Sequence, residues 1–101
     1  MFYIYILQSP IHSKFYIGYS DNPWVRVVRH NTTELTTYTC KFRPWELIAT
    51  FEVGTNENVA VRIERFLKKQ HSKKLLVKLI DPEFNPSGEL AQLVRVPHLR
   101  D

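Results

Sequence analysis

Apolar residues recur along this chain with two different periods. Phe2 to Leu7 and Phe15 to Tyr19 are near-continuous runs of aromatic and β-branched residues, the pattern of strands covered on both faces. Between them, Ser9-Pro10-Ile11-His12-Ser13 supplies turn residues, so the pair reads as a hairpin. Trp45 to Val53, stopped by Gly54, predicts a third strand. Elsewhere the period lengthens. Ser20-Asp21-Asn22-Pro23 offers a side-chain cap and a first-turn proline, and Trp24, Val25, Val27 and Val28 then mark a helix from about Pro23 to His30. Val59, Ala60, Ile63, Phe66 and Leu67 predict a second helix, starting near Thr55-Asn56-Glu57-Asn58. It continues or restarts through Ser72 to Ile80, and Asp81-Pro82 stops it.

These elements imply an α/β (α+β) fold: a small, mainly antiparallel three-stranded sheet flanked by helices, occupying residues 1–80. Thr32 to Arg43 reads as a polar, threonine-rich loop. From residue 81 to 101 the periodicity is lost, with Pro82, Pro86, Pro97 and Gly88 around one apolar stretch, Leu90 to Val96. That composition predicts a C-terminal extension that packs loosely on the domain or not at all.

Composition narrows the function. A chain of 101 residues with 44% hydrophobic and 24% charged residues has the make-up of one globular domain, not of a disordered segment. With only Gly18, Gly54 and Gly88, no glycine-rich phosphate-cradling loop is available. Cys40 is the single cysteine, which excludes an intrachain disulfide and a thiolate zinc site. His12, His30, His71 and His98 lack metal-ligand spacing. The first apolar run is too short to span a membrane and lacks signal-peptide flanks, so the expected setting is the cytoplasm, with no membrane partner. The formal charge of +4 and pI near 9.4 suit a polyanion. An ordinary basic surface accounts for charge alone equally well.

The candidate chemistry gathers around the hairpin. Tyr5 and Tyr16 lie on its two strands, and Arg26 follows Gly18 by eight positions. His30 follows Arg26 by four, which stacks both on one helical face. Tyr3-Ile4-Tyr5, Tyr16-Ile17-Gly18, Arg26, Arg29-His30-Asn31, Arg43-Pro44-Trp45 and Ala60 to Glu64 fall in one order and spacing. In these motifs the chain resembles the GIY-YIG nuclease superfamily, and within it the small stand-alone bacterial members related to the excision-repair nuclease domain. The resemblance covers roughly residues 2 to 80. It implies a GIY-YIG nuclease-like fold, and an endonuclease that hydrolyses DNA phosphodiester bonds with a divalent ion, in repair or recombination.

Phosphodiester hydrolysis needs a base to activate water, a cation for the growing phosphoryl charge, and help for the leaving oxygen. The resemblance makes Tyr16 the base or the holder of the attacking water, with Tyr5 and His30 assisting. Arg26 is suited to clamp the phosphate with its planar fork of donors. Glu64, at the edge of an apolar helical face, is the expected ligand of Mg2+ or Mn2+, a single carboxylate completed by waters and phosphate being ordinary for magnesium. Each has a plainer alternative: Tyr5 and Tyr16 as core aromatics, Arg26 as an exposed helical cation, Glu64 as the partner of Lys68 one turn on. Arg29, Lys41, Arg43 and Lys68 are expected to position a nucleic-acid backbone without reading its sequence. A protein partner would then supply specificity. Tyr3 stands where the family has glycine, and Tyr19 where some relatives have lysine, so activation of Tyr16 falls to His30 or to metal-bound water. The second reading is a nucleic-acid-binding module that keeps this fold without catalysis.

Overall fold

In the computed structural model, described over residues 1–32, 38–70 and 72–99, the hairpin is formed by β1 (Phe2–Ser9) and β2 (Lys14–Ser20). Helices α1 (Pro23–Thr32) and α2 (Tyr38–Lys41) follow, then β3 (Glu46–Gly54), α3 (Glu57–Gln70) and α4 (Lys73–Ile80). The chain finishes with a short 3-10 turn, Gly88–Leu90, and β4 (Val94–Val96). The sheet order is β2-β1-β3-β4, antiparallel throughout. β1 therefore sits inside the sheet, and β2 forms one edge.

Alternation along β1 sorts its side chains between two cores. Ile4 and Ile6 join Ile17, Ala49, Phe51 and Val53 beneath Ala60, Ile63 and Leu67 of α3 and Leu79 of α4. Tyr5 and Leu7 point the other way, into a smaller cluster with Trp45, closed by Tyr16, Val27, Phe42 and Leu47. Helices cover both faces, as continuously apolar strands require. The caps are those the sequence offers: Asn22 Oδ1 accepts from Val25 N at 3.1 Å and Ser20 Oγ from Asn22 N at 2.9 Å. Ser72 Oγ accepts from Leu75 N at 3.1 Å, so the second helical segment restarts rather than continues. Part of the expected polar loop, residues 33–37, lies outside the described residues; the rest of it includes the single-turn helix α2. Among the described residues no helix is long and apolar enough to cross a membrane.

The three expected strands are present, and a fourth joins them from the C-terminal segment. β4 pairs with β3 through Thr50↔Val96, Phe51↔Arg95 and Glu52↔Val94. Leu90 and Leu93 are 6% and 5% exposed and belong to the larger core. Arg95 lays its guanidinium 4.7 Å from the centre of the Phe51 ring and donates to the carbonyls of Leu79 and Asp81, the C-terminal end of α4. Trp24 Nε1 donates to the His98 carbonyl at 2.9 Å, tying the segment to α1. The expectation of a loosely packed extension is thus corrected. Its prolines and Gly88 hide two leucines spaced to reach the sheet, and loss of helical periodicity does not mean loss of packing. Leu93→Ala is expected to destabilise the chain by about 2–4 kcal/mol in urea unfolding; a loosely packed segment would give less than about 0.5 kcal/mol.

Candidate active site

The hairpin register decides how the tyrosines meet. Tyr5 pairs with Gly18 and Leu7 with Tyr16, so Tyr5, Gly18 and Tyr16 share one face, with the two tyrosines diagonal to each other. The Tyr5 ring lies across Gly18: a Cβ there would stand 2.5 Å from both Cζ and Oη of Tyr5. Glycine is required by this close approach rather than by a special backbone angle. Tyr5 is 2% exposed, and its hydroxyl meets His30 Nε2 at 2.9 Å. The Tyr16 ring sits edge-on to His30, with centres 4.9 Å apart, and 6.4 Å from the Tyr5 ring.

Burial pushes the Tyr5 phenol well above its ordinary range, and the nearby Tyr16 adds to the shift. His30 moves the other way, to about 4, chiefly by burial and then by the cations Arg26, Arg29, Arg43 and Lys68. At neutral pH the pair is therefore a neutral phenol and a neutral imidazole. A neutral imidazole keeps one nitrogen as donor and the other as acceptor, so it can still take up a proton.

The end of α1 is held firmly behind this pair. Arg43 Nε donates to the His30 carbonyl at 2.8 Å. Asn31 Nδ2 donates to the Trp45 carbonyl at 2.9 Å, and Asn31 Oδ1 accepts from Trp45 N at 2.7 Å. Trp45, 2% exposed, donates from Nε1 to the Thr39 carbonyl at 2.7 Å. Arg43, expected to track a nucleic-acid backbone, thus also braces His30 from behind. Asn31 stitches α1 to the start of β3. Nothing local in the sequence signals that bridge, because its two ends are 14 residues apart.

In front of the pair opens a cavity of about 470 Å³, walled by Tyr5, Tyr16, Arg26, His30, Glu64 and Lys68, with Phe2, Gly18, Tyr19, Ser20, Asp21 and Glu57 completing it. Five of the residues singled out in the sequence, Tyr5, Tyr16, Arg26, His30 and Glu64, converge here, together with Lys68. Arg29 and Lys41 are exposed and do not line it. Because β2 is an edge strand, α3 can lie on the opposite face and still bring Glu64 and Lys68 alongside Tyr16. Glu64 Oε1 and Lys68 Nζ are 3.3 Å apart, so the intrahelical ion pair and a place in the cavity wall hold together. Lys68 Nζ also stands 5.0 Å from the centre of the Tyr16 ring. With Tyr19 donating to Glu57 Oε2 at 3.5 Å instead, the cation beside Tyr16 comes from α3, not from the strand.

Among the described residues no cluster of three or more His, Cys, Asp or Glu forms a metal cage. The donor set nevertheless fits magnesium or manganese. Glu64 offers a carboxylate to a polar cavity whose wall also holds Asp21 and Glu57, and such ions keep several waters and bind substrate phosphate beside one or two carboxylates. Asp21 and Glu57 were not evident as site residues because each reads as a helix-start acid in its own segment.

The family model for the GIY-YIG catalytic domain matches residues 1–76. The chain is 33% identical over 85 residues to the structure-specific endonuclease subunit slx1 of Neosartorya fischeri, covering 78% of this chain and 21% of that protein. It is 31% identical over 77 residues to the subunit of the same name from Podospora anserina, covering 71% and 22%. A UPF0213 protein of Pediococcus acidilactici is 38% identical over 77 residues, covering 74% and 76%. The chain thus spans about a fifth of the length of the two fungal subunits.

Two outcomes follow from the Tyr5–His30 packing. Because the folded state holds His30 at about 4 against an ordinary 6.5, the unfolded chain binds its proton first as pH falls. The His30 contribution to stability is therefore full above about pH 6.5 and is lost as pH falls toward 4, a trend measurable by urea unfolding alongside an NMR titration of the imidazole. Gly18→Ala is expected to cost about 1–3 kcal/mol by overpacking and to raise the His30 midpoint as the Tyr5 ring is driven away. An unchanged midpoint would refute the contact.

Proposed function

The chain belongs to the GIY-YIG catalytic-domain family, and from that premise we propose that it is a divalent-metal-dependent DNA endonuclease acting in repair or recombination. The observation that carries the reading is the convergence of Tyr5, Tyr16, Arg26, His30 and Glu64 on one polar cavity. These residues come from two strands and two helices, and packing alone gives no reason for them to meet.

In this reading the scissile phosphate enters against Arg26, whose guanidinium neutralises the charge that grows on the non-bridging oxygens. The Tyr16 oxygen holds the attacking water and takes its proton as the phenol's own proton passes to His30, while the water oxygen closes on phosphorus and the opposite P–O bond breaks. Tyr5, kept protonated by burial, orients the water or a phosphate oxygen. His30, neutral at physiological pH, can accept the phenol's proton. Glu64 would hold Mg2+ or Mn2+, which when bound supplies Lewis-acid stabilisation at the leaving oxygen. Binding the ion requires Glu64 to give up part of its pairing with Lys68, freeing that ammonium for the DNA backbone. Arg29, Lys41 and Arg43 add to the positive field around the site.

We assign catalysis to residues 1–80, with Val94–Val96 of the C-terminal extension completing the sheet, and the cytoplasm as the setting. The fungal relatives are named as subunits, which supports a protein partner that confers specificity. Purified protein is expected to cut branched, flapped or duplex DNA with Mg2+ or Mn2+ and to stop when the ion is chelated. Glu64→Ala and Arg26→Ala are expected to lose about 10²–10³-fold in rate, and Tyr16→Phe about 10²-fold or more, with unchanged circular dichroism. Absence of cleavage on every DNA, or full activity of Glu64→Ala, overturns the proposal.

A further inference from the structure

Helix α1 carries Arg26 and His30, yet of its ten residues only Pro23 is buried. Val27 reaches the smaller core as a partly buried side chain. A cavity of about 610 Å³ opens along the flank of the helix, between its Val27 and Val28, Trp45 and Leu47 of β3, and His98 and Leu99 of the C-terminal segment. Core packing along α1 is therefore thin, and its rotation about its own axis is left to ties at its ends. Asn31 and Arg43 supply them at the C-terminal end. Trp24 supplies one at the N-terminal end.

The Trp24 ring stands edge-on to Tyr3, with centres 5.4 Å apart and planes at 80°, and its Nε1 donates to the His98 carbonyl at 2.9 Å. Tyr3 lies two positions before Tyr5 on β1, on the same face of the sheet. Two residues before His98, the Val96 carbonyl accepts from Thr50 Oγ1 at 2.9 Å. Thr50 is fully buried and pairs with Tyr5 across the sheet. Residues 94–98 thus run as a strap from the strand neighbour of Tyr5 to the first turn of α1. Trp24 and Arg26 are roughly 200° apart around the helix, so a rotation that releases the indole also swings Arg26 from the cavity it lines. We propose that Trp24 is a positioning residue for Arg26: held between the Tyr3 ring and the His98 carbonyl, it fixes the rotation of α1 and so aims the guanidinium into the cavity. Tyr3 and the strap act through it. The aiming stands on geometry alone; its catalytic consequence rests on the nuclease reading.

The test uses the full chain with two substitutions. Trp24→Phe removes the indole donor and keeps a ring against Tyr3; Tyr3→Leu removes the edge contact and keeps the donor. Both variants are followed by heteronuclear NMR of the Arg26 Nε–Hε group and by DNA cleavage with Mg2+. Each is expected to shift that resonance while the amides of α3 and α4 stay in place. Each should lower kcat by about tenfold to 10²-fold, the scale on which misplacing a reactive group acts, with KM within about twofold. In an Arg26→Ala background the same changes should cost less than about twofold more, because the residue they act through is gone. A purely structural defect would instead multiply with Arg26→Ala. An unmoved Arg26 resonance in either variant, an unchanged kcat, or full multiplication of the losses overturns the proposal. Shifted resonances in a protein whose wild type cuts no DNA leave the positioning standing and remove the nuclease reading; cleavage by the wild type with unmoved resonances does the reverse.

Discussion

The contact between the Tyr5 ring and the bare backbone of Gly18 governs the rest of the site. It is possible only because no Cβ intervenes at a distance of 2.5 Å, and it sets the Tyr5 hydroxyl where His30 Nε2 can meet it at 2.9 Å. Buried in this way, the phenol stays protonated and the imidazole stays neutral. The tyrosine-glycine strand motif is thus a packing solution before it is a chemical one. A strand residue at position 18 with any side chain would expel the ring that orders the cavity.

Support for that contact comes from behind. The Arg43 bond to the His30 carbonyl and the reciprocal bonds between Asn31 and Trp45 hold the last turn of α1 against the start of β3. The buried indole of Trp45 is itself held by the Thr39 carbonyl. Rotation of α1 is resisted at its C-terminal end, where His30 lies, while capping by Asn22 orders its N-terminal end, near Arg26. Residues that never touch the cavity therefore set the geometry of those that do.

Topology supplies what no single segment could. As an edge strand, β2 leaves an open flank around which α3 reaches with Glu64 and Lys68. The Lys68 ammonium of α3 stands 5.0 Å from the centre of the Tyr16 ring, while Tyr19 of the strand donates to Glu57. On the far side of the sheet, β4, Leu90 and Leu93 close the larger core and Arg95 caps α4, extending the fold beyond the residues 1–76 matched by the family model.

The sequence by itself determined the elements whose signals are local: two aromatic strands around a turn, a capped α1 placing Arg26 and His30 on one face, and the apolar period of α3. Motif order and family resemblance also singled out Tyr5, Tyr16, Arg26, His30 and Glu64 as candidates, and the fold brings all five to one cavity. Only the tertiary structure decided that the Tyr5 hydroxyl meets His30 Nε2, that Asn31 and Arg43 brace from behind, that Lys68 of α3 stands beside the Tyr16 ring, and that the proline-rich end adds a strand. Each of those depends on contacts between residues distant along the chain. Strand register, edge position and burial set such contacts, and none of the three is written in the neighbouring residues.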